Sequence, residues 1–226
     1  MKVTKNNKSK MKTILIIGSG AGISLSVAYR FAREGFQIIF YARNERSLQS
    51  LTQKINEIGF KASYYVGDVT DFESMKTVIR EIYQKFSIDV MLYNAAAATA
   101  KNIEDLTTEQ LNNDFNVNVT GALNVARTCL QIQEKDRPMA LLFTGGGLAL
   151  KPFHEYTSLS IGKAGLRSLV FSLAQEFKNR NVKIGTVTVA GFVKKGTRFD
   201  PDRIANEFWQ LYSDPARKYE VEIIYK

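Results

Sequence analysis

The ten residues TILIIGSGAG, at positions 13–22, decide the fold. Thr13–Ile17 is a short run of apolar, β-favouring residues, which is typical of a strand buried on both faces. Three glycines follow within Gly18–Gly22, and the helical pattern of Ser24–Glu34 comes next. A glycine loop between a strand and a helix presents free backbone N–H groups at the positive end of the helix dipole, where a pyrophosphate binds. The stretch therefore predicts a nucleotide-binding α/β domain.

Strand-like and helix-like segments continue to alternate after this loop. Further strands are predicted at Gln37–Tyr41, Ala62–Val66, Val90–Tyr93, Met139–Thr144, Lys183–Val189 and Val221–Tyr225. Helices are predicted at Glu45–Ile58, Asp71–Phe86, Thr107–Ile132, Ser158–Asn179 and Ile204–Tyr212. This alternation implies right-handed crossovers between parallel strands. We expect a single-domain Rossmann-like α/β fold, a doubly wound parallel sheet of about seven strands with helices on both faces.

Composition limits the classes of function. The 226 residues carry a net charge of +9, but five of the 31 basic residues are lysines between positions 2 and 12, with no acid among them. We therefore expect a basic flexible tail over residues 1–10, a globular domain over residues 11–226 and no nucleic-acid partner. A role of the tail in nucleic-acid binding is a distant alternative. No apolar run is long enough to span a membrane.

Cysteine and histidine usage adds two expectations. The single cysteine, Cys129, excludes an internal disulfide and fits a reducing compartment, so a cytoplasmic location is expected. The single histidine, His154, argues against a metal site built from histidines, and no metal is expected.

Several short motifs follow one another in an order that resembles the short-chain dehydrogenase/reductase family. The loop matches that family's T-G-x-x-x-G-x-G pattern, except that Ile17 replaces the threonine and Ser24 the last glycine. The other motifs are Asp68-Val69-Thr70-Asp71, Asn94-Ala95-Ala96, Asn116-Val117-Asn118-Val119-Thr120-Gly121, Gly162-Lys163-Ala164-Gly165 and Ala190-Gly191-Phe192-Val193. The resemblance extends over about residues 11 to 200 and implies an oxidoreductase that uses a nicotinamide cofactor.

The resemblance also implies which residues hold the cofactor. They are Gly18, Ser19, Gly22, Ile23, Arg43, Asp68, Val69, Asn94, Ala95, Ala96, Lys163, Gly191, Phe192 and Val193. In this family an acidic residue just after the second strand favours NAD, because it binds the ribose 2′-hydroxyl. This chain has Arg43 there and no acid within Tyr41–Asn44, and a guanidinium matches a 2′-phosphate. NADP(H) is the predicted cofactor, and NAD(H) stays an alternative.

The resemblance places the family's proton donor, a tyrosine, at Leu159 and its serine at Gly146, so neither group is present. Lys163 matches the lysine that holds the nicotinamide ribose, and Asn118 the active-site asparagine. Two nearby residues could supply the proton. Tyr156 lies seven residues, about two helical turns, before Lys163, and His154 has an ordinary pKa near neutrality. The candidate catalytic residues are therefore Asn118, Lys163, Tyr156 and His154.

The glycines of Gly145–Gly147 allow two interpretations: a relaxed strand end, or backbone N–H groups that replace the missing serine as donors to a substrate oxygen. The leading hypothesis is an NADP(H)-dependent oxidoreductase acting on a small carbonyl or alcohol. The alternative is a catalytically silent NADP(H)-binding sensor or partner subunit. The family often pairs through its two long helices, here Thr107–Ile132 and Ser158–Asn179, so the resemblance implies a homodimer or homotetramer.

Overall fold

The computed structural model describes residues 11–218 and 220–226. One sheet of seven parallel strands contains β1 (Thr13–Ile17), β2 (Gln37–Ala42), β3 (Ala62–Val66), β4 (Val90–Tyr93), β5 (Met139–Gly146), β6 (Val182–Val189) and β7 (Glu222–Tyr225). Their order across the sheet is β3-β2-β1-β4-β5-β6-β7. The predicted fold class is confirmed, while the predicted tail of residues 1–10 lies outside the described residues.

Seven α-helices cover the sheet in the described part of the chain. They are α1 (Ile23–Arg33), α2 (Glu45–Glu57), α3 (Phe72–Lys85), α4 (Thr108–Phe115), α5 (Gly121–Ile132), α6 (Thr157–Glu176) and α7 (Pro201–Ser213). No helix in this part of the chain is long and apolar enough to cross a membrane.

Strand β1 shows why the sheet forms at the centre of the molecule. All five of its residues are buried, and the four apolar ones alternate between two hydrophobic clusters, one on each face of the sheet. Ile14 and Ile16 pack with α1, α2 and α7, while Leu15 and Ile17 pack with α3, α5 and α6. Because side chains of a strand point alternately to opposite faces, an unbroken apolar run is what a strand covered on both sides requires.

The strand order reverses beside β1. The chain runs outward from β1 through β2 to β3, and then returns to β4 on the other side of β1. In open parallel sheets this reversal leaves a crevice at the carboxyl ends of the strands, where ligands bind. The glycine loop lies at this crevice.

Several elements differ from the sequence prediction in their bounds. A π-helical turn at Asn116–Thr120 interrupts the predicted helix Thr107–Ile132. Strand β5 extends to Gly146 because Gly145 and Gly146 still pair with β6. Helix α7 begins at Pro201, before the predicted Ile204, because the Asp200 carboxylate caps it by accepting from the Asp202 amide.

Candidate functional site

The glycine loop lies tightly against the end of β4 and is open on its other side. Gly18 has a positive φ of 80°, and a Cβ there would lie 2.2 Å from the Ala95 backbone nitrogen. Only glycine fits this position. At Gly20 and Gly22 a Cβ would meet no atom within 4 Å. The loop therefore leaves room for a ligand beside the start of α1, which begins at Ile23.

Both serines of the loop use their hydroxyls inside the protein. Ser19 Oγ donates to the Ile16 carbonyl at 2.8 Å and accepts from the Tyr41 amide at 3.2 Å. Ser24, which stands where the family has glycine, is buried, and its Oγ donates to the Gly18 carbonyl at 3.1 Å. The hydroxyls shape the loop, and only its backbone N–H groups remain for an anion.

The Arg43 side chain, at the end of β2, is 75% exposed and lies 3.6 Å from an Asp68 carboxylate oxygen. Burial alone would raise the pKa of Asp68, but hydrogen bonds from the Thr70 amide and hydroxyl and the charge of Arg43 outweigh it, so the pKa stays below its usual value. Sequence reasoning found no acid near Arg43 within β2. Asp68 follows the end of β3 and lies beside Arg43. Because this ion pair is exposed, it is weak, and an anionic ligand can compete with Asp68 for the guanidinium group.

The predicted adenine side of the crevice contains a buried hydroxyl. Tyr41 is fully buried, and its hydroxyl has no hydrogen-bond partner among the described residues. It lies under Gly67, where a Cβ would be 2.2 Å from the hydroxyl oxygen, just before Asp68 and the buried Val69. Burial, assisted by the charges of Asp68 and Asp71, raises the pKa of Tyr41, so the group is a neutral donor.

The motif Asn94-Ala95-Ala96 connects the loop to β5. The Asn94 amide nitrogen donates to the Gly18 carbonyl at 3.1 Å and to Ser24 Oγ at 2.8 Å. Its amide oxygen accepts from the Thr144 hydroxyl at 2.8 Å. The Asn94 side chain is thus engaged by the protein itself. Ala95 contacts Gly18, whereas Ala96 is exposed at the crevice.

Asn118 lies within the π-helical turn and is buried. Its amide group donates to the Ala97 carbonyl at 2.7 Å and accepts from the Ala97 amide at 3.0 Å. A Cβ at position 162 would lie 2.7 Å from Asn118 Nδ2, so the glycine there permits α6 to approach the turn. The Asn118 side chain therefore binds the loop after β4 through the backbone of Ala97.

Lys163, on α6, is buried beside Gly146. Its ammonium group donates to the Thr144 carbonyl at 2.8 Å. A Cβ at position 146 would lie 3.2–3.3 Å from the lysine stem, so the stem lies over the position where the resemblance puts the family's serine. Burial lowers the pKa of Lys163 to about 8, and no charged side chain among the described residues contributes to the shift.

The two predicted substitutes for the proton donor occupy different surroundings. Tyr156 immediately precedes α6, is partly buried, and forms a backbone bridge to Lys101. It lines a polar cavity of about 550 Å³ with Ala100, Lys101, Asn102, Asp105 and Glu155. His154 is exposed and does not line that cavity, and its Nδ1 lies 2.9 Å from the Asn102 side-chain oxygen.

Sequence reasoning missed Asp114. This carboxylate is buried on α4, where it accepts hydrogen bonds from the Thr99 amide at 2.7 Å and from the hydroxyl of Ser158 on α6. Asp114 precedes Asn118 by four residues, and the two side chains bind Thr99 and Ala97 of the same loop. An acid one helical turn before a predicted site residue was the available signal.

Close packing explains the outer two glycines of Gly145–Gly147. A Cβ at position 145 would lie 2.5 Å from the Thr188 hydroxyl, and one at position 147 would lie 2.7 Å from the Ala190 Cα. Neighbouring β6 therefore requires glycine at both positions.

After β6, the predicted segment Gly191-Phe192-Val193 reaches the edge of the crevice. A Cβ at position 191 would lie 2.2 Å from the Phe199 ring, so that ring covers the glycine. Phe192 is 88% exposed, and Val193 is also exposed. Across residues 11–218 and 220–226, no group of three or more His, Cys, Asp or Glu side chains could hold a metal ion.

Comparisons with known proteins agree on one family. The family model described as short chain dehydrogenase matches residues 12–202. L-xylulose reductase of Caenorhabditis elegans is 27% identical over 78% of this chain and 70% of its own length. The 3-oxoacyl-[acyl-carrier-protein] reductase of Thermotoga maritima is 27% identical over 81% of this chain and 74% of its own.

Human hydroxysteroid dehydrogenase-like protein 2 is also 27% identical, over 74% of this chain, but the match spans only 42% of that relative's length. Among solved structures, a short chain dehydrogenase from Mycobacterium smegmatis has a TM-score of 0.86 at 23% identity, with 99% of this chain and 95% of that one covered. A variant actinorhodin polyketide ketoreductase with NADPH has a TM-score of 0.87 at 17% identity, with coverages of 95% and 96%. At these identities the structures show the fold.

Proposed function

The chain belongs to the short-chain dehydrogenase family of oxidoreductases, and from that membership we propose that it is an atypical NADP(H)-dependent member that interconverts a small carbonyl compound and its alcohol. The observation that carries the proposal is the meeting of an open glycine loop and a buried lysine, Lys163, at the crevice where the strand order reverses. The names of the L-xylulose and 3-oxoacyl reductases support a carbonyl substrate.

The residues at the crevice fit a dinucleotide phosphate. Backbone N–H groups of residues 20–23 would receive the pyrophosphate, for which the open side at Gly20 and Gly22 leaves room, whereas the amides of Gly18 and Ser19 donate to the Tyr41 carbonyl. Asp68 and Val69 line the adenine side, where the Tyr41 hydroxyl offers an unused donor. Arg43 is exposed and binds the 2′-phosphate in competition with Asp68.

The residues that would hold the other end of the cofactor follow β4 and β6 or lie on α6. Lys163 holds the nicotinamide ribose, and Asn94-Ala95-Ala96 and Gly191-Phe192-Val193 flank it. When bound, the cofactor supplies or accepts the hydride. The protein's own task is to hold the substrate oxygen and to move one proton.

We assign the proton transfer to Tyr156. It precedes α6, seven residues before Lys163, and lines a polar cavity together with residues of the loop after β4. His154 is the weaker candidate because it is exposed and its Nδ1 is already engaged by Asn102. With Leu159 and Gly146 unable to transfer protons, this arrangement makes the member atypical. Asn118 supports the loop through Ala97.

Cofactor binding is the first test. NADPH and NADH are titrated against the protein and followed by fluorescence of the reduced nicotinamide, with Arg43→Ala as the variant. We expect NADPH to bind more tightly than NADH, and Arg43→Ala to weaken NADPH binding about tenfold while NADH is unaffected. Arg46→Ala, a nearby exposed arginine on α2, is the matched control. If neither nucleotide binds at millimolar concentration, the proposal fails.

Turnover is the second test. A panel of sugar, acyl and aromatic carbonyl compounds is supplied with NADPH, and its consumption is recorded. Consumption with any of them supports the enzyme, whereas tight binding without turnover would favour the silent sensor instead.

A homodimer or homotetramer is part of the same proposal. The long helices proposed to pair expose apolar side chains at Phe115, Leu123, Ile161 and Phe171. Light scattering after size-exclusion chromatography measures the oligomer, and Leu123→Glu should weaken it. A cytoplasmic location is likewise proposed.

A further inference from the structure

Two buried hydroxyl groups beside the crevice, those of Ser24 and Thr144, have no part in the proposed chemistry. Together with Asn94 they join Lys163 to the glycine loop. The Lys163 ammonium donates to the Thr144 carbonyl at 2.8 Å, and the Thr144 hydroxyl donates to the Asn94 amide oxygen at 2.8 Å. The Asn94 amide nitrogen donates to Ser24 Oγ at 2.8 Å, and Ser24 Oγ donates to the Gly18 carbonyl at 3.1 Å.

All four hydrogen bonds point the same way, from the lysine towards the loop. The three bonds from the Thr144 hydroxyl to the Gly18 carbonyl run in series, and such bonds polarise and strengthen one another. Lys163 joins them through the backbone carbonyl of Thr144. Ser24, Thr144 and Lys163 are all buried, so water competes little for their partners. Each of these side chains is also held by packing, which leaves the series few other arrangements.

The series crosses the whole width of the crevice. It begins on α6, passes the ends of β5 and β4, and finishes at the loop after β1. Its two ends, the loop backbone and the lysine, are the parts of the protein proposed to hold the pyrophosphate and the nicotinamide ribose. A displacement at one end therefore changes the hydrogen-bond geometry at the other.

We propose that Ser24 and Thr144 are positioning residues that couple the seating of the cofactor phosphates at the glycine loop to the position of the Lys163 ammonium. This inference rests on the proposed nucleotide binding. The resemblance places Ser24 at a family glycine, and its hydroxyl provides the second of two links to the Gly18 carbonyl, beside the direct hydrogen bond from the Asn94 amide nitrogen at 3.1 Å. Thr144 supplies both the hydroxyl that holds Asn94 and the carbonyl that holds the lysine.

A double-mutant cycle on NADPH binding tests the coupling. Ser24→Ala and Thr144→Val are each made in the wild-type chain and with Lys163→Met. We expect each single variant to weaken NADPH binding about five- to tenfold in the wild-type chain, and less than twofold when Lys163 is already replaced. Equal losses in both backgrounds would mean that the hydroxyls act only on the local shape of the loop, and would overturn the inference.

Three further measurements make the result specific. Thr144→Ser keeps the hydroxyl and should restore binding to within about twofold of wild type. Thr186→Val removes another buried hydroxyl, one bonded to the Phe143 carbonyl outside the series, and should leave NADPH binding unchanged. Thermal unfolding checks that every variant is folded, and if Thr144→Val does not fold, the Ser24→Ala cycle decides alone.

Failure of the inference is distinguishable from failure of the proposed function. If the wild-type chain does not bind NADPH, the function is wrong. If wild type binds and the cycle shows no coupling, the function stands and only the positioning role is lost.

Discussion

Two sets of buried polar groups flank helix α6, and they differ in how they are built. On the cofactor side, hydrogen bonds join three neutral residues to one cation. The neutral residues are Ser24, Asn94 and Thr144, and the cation is the ammonium group of Lys163. At the start of α6, a single carboxylate, Asp114, receives the Thr99 amide and the Ser158 hydroxyl. The resemblance places Ser24, in the first set, at a family glycine, and it places the family's tyrosine at Leu159, directly after Ser158 of the second set.

The contrast concerns position 146, where the resemblance places the family's serine and this chain has glycine. The stem of Lys163 lies over Gly146, so the space of that missing side chain is already used. At Leu159 the side chain is apolar, and the polar groups nearest to the cavity come instead from Tyr156 and from the loop that Asp114 fastens. Under the proposed assignment, the cofactor side has an additional hydroxyl at Ser24, and the proton donor is Tyr156.

The largest effect is expected when the proposed proton donor, the Tyr156 hydroxyl, is removed. Tyr156→Phe should lower kcat by about two to four orders of magnitude, because it deletes one hydroxyl from the cavity and little packing. NADPH affinity should stay within about twofold, and His154→Ala should retain most activity. Steady-state rates with the best carbonyl substrate measure both. Full activity of Tyr156→Phe would show that the donor lies elsewhere.

Removing the carboxylate tests the second set. Asp114→Ala leaves the Thr99 amide and the Ser158 hydroxyl buried without their acceptor, so we expect a loss of about 2–3 kcal/mol in the free energy of unfolding. Urea denaturation measures it. Asp105→Ala, at an exposed acid lining the cavity, is the matched control and should change stability by less than about 0.5 kcal/mol. Equal losses of stability in the two variants would mean that the hydrogen bonds to Asp114 do not stabilise the fold.

The charge of Lys163 makes cofactor binding dependent on pH. Burial lowers the pKa of the free protein's lysine to about 8, and hydrogen bonds to the ribose oxygens, together with the negative charge of the bound dinucleotide, favour the protonated form. Because binding then requires the protonated lysine, affinity for NADPH should fall as pH rises through 8, by about tenfold between pH 7 and pH 9. Isothermal titration calorimetry follows the affinity. Lys163→Met should remove the pH dependence, and an unchanged slope in that variant would assign it to another group.

The smallest expected effect comes from restoring the family's serine. In Gly146→Ser the new Cβ lies 3.2–3.3 Å from the lysine stem, so the stem must move by a few tenths of an ångström. We expect NADPH binding to weaken about two- to fivefold rather than improve. Tighter NADPH binding by Gly146→Ser would contradict the close packing of the Lys163 stem over position 146.

The sequence predicted the strands and the glycine loop because their signals are local. The apolar run Thr13–Ile17 and the glycines after it specify a strand and a turn without reference to the rest of the chain. The same signals predict the loop that contains Gly18 but not its close contact with Ala95, which lies far along the chain. Motif order then predicted which segments meet at the crevice.

The partners of individual side chains could not be predicted in this way. The hydrogen bonds from Thr144 to Asn94 and from Ser158 to Asp114 join segments more than forty residues apart. Periodicity tells which face a residue occupies but not which atom it meets there. The pairing of Arg43 with Asp68 was missed for the same reason, because it joins the ends of two neighbouring strands.

The π-helical turn Asn116–Thr120 has a consequence for insertions and deletions. Such a turn holds one residue more than a regular helical turn, so the faces of α4 and α5 are set about 100° apart from where an unbroken helix would have them. Deleting one residue from the turn would keep the composition and the helical propensity of the segment nearly unchanged. It would nevertheless rotate Asp114 away from Thr99 while α5 stayed packed in the core. In this region the chain's length, counted to the single residue, is as much a part of the site as any side chain.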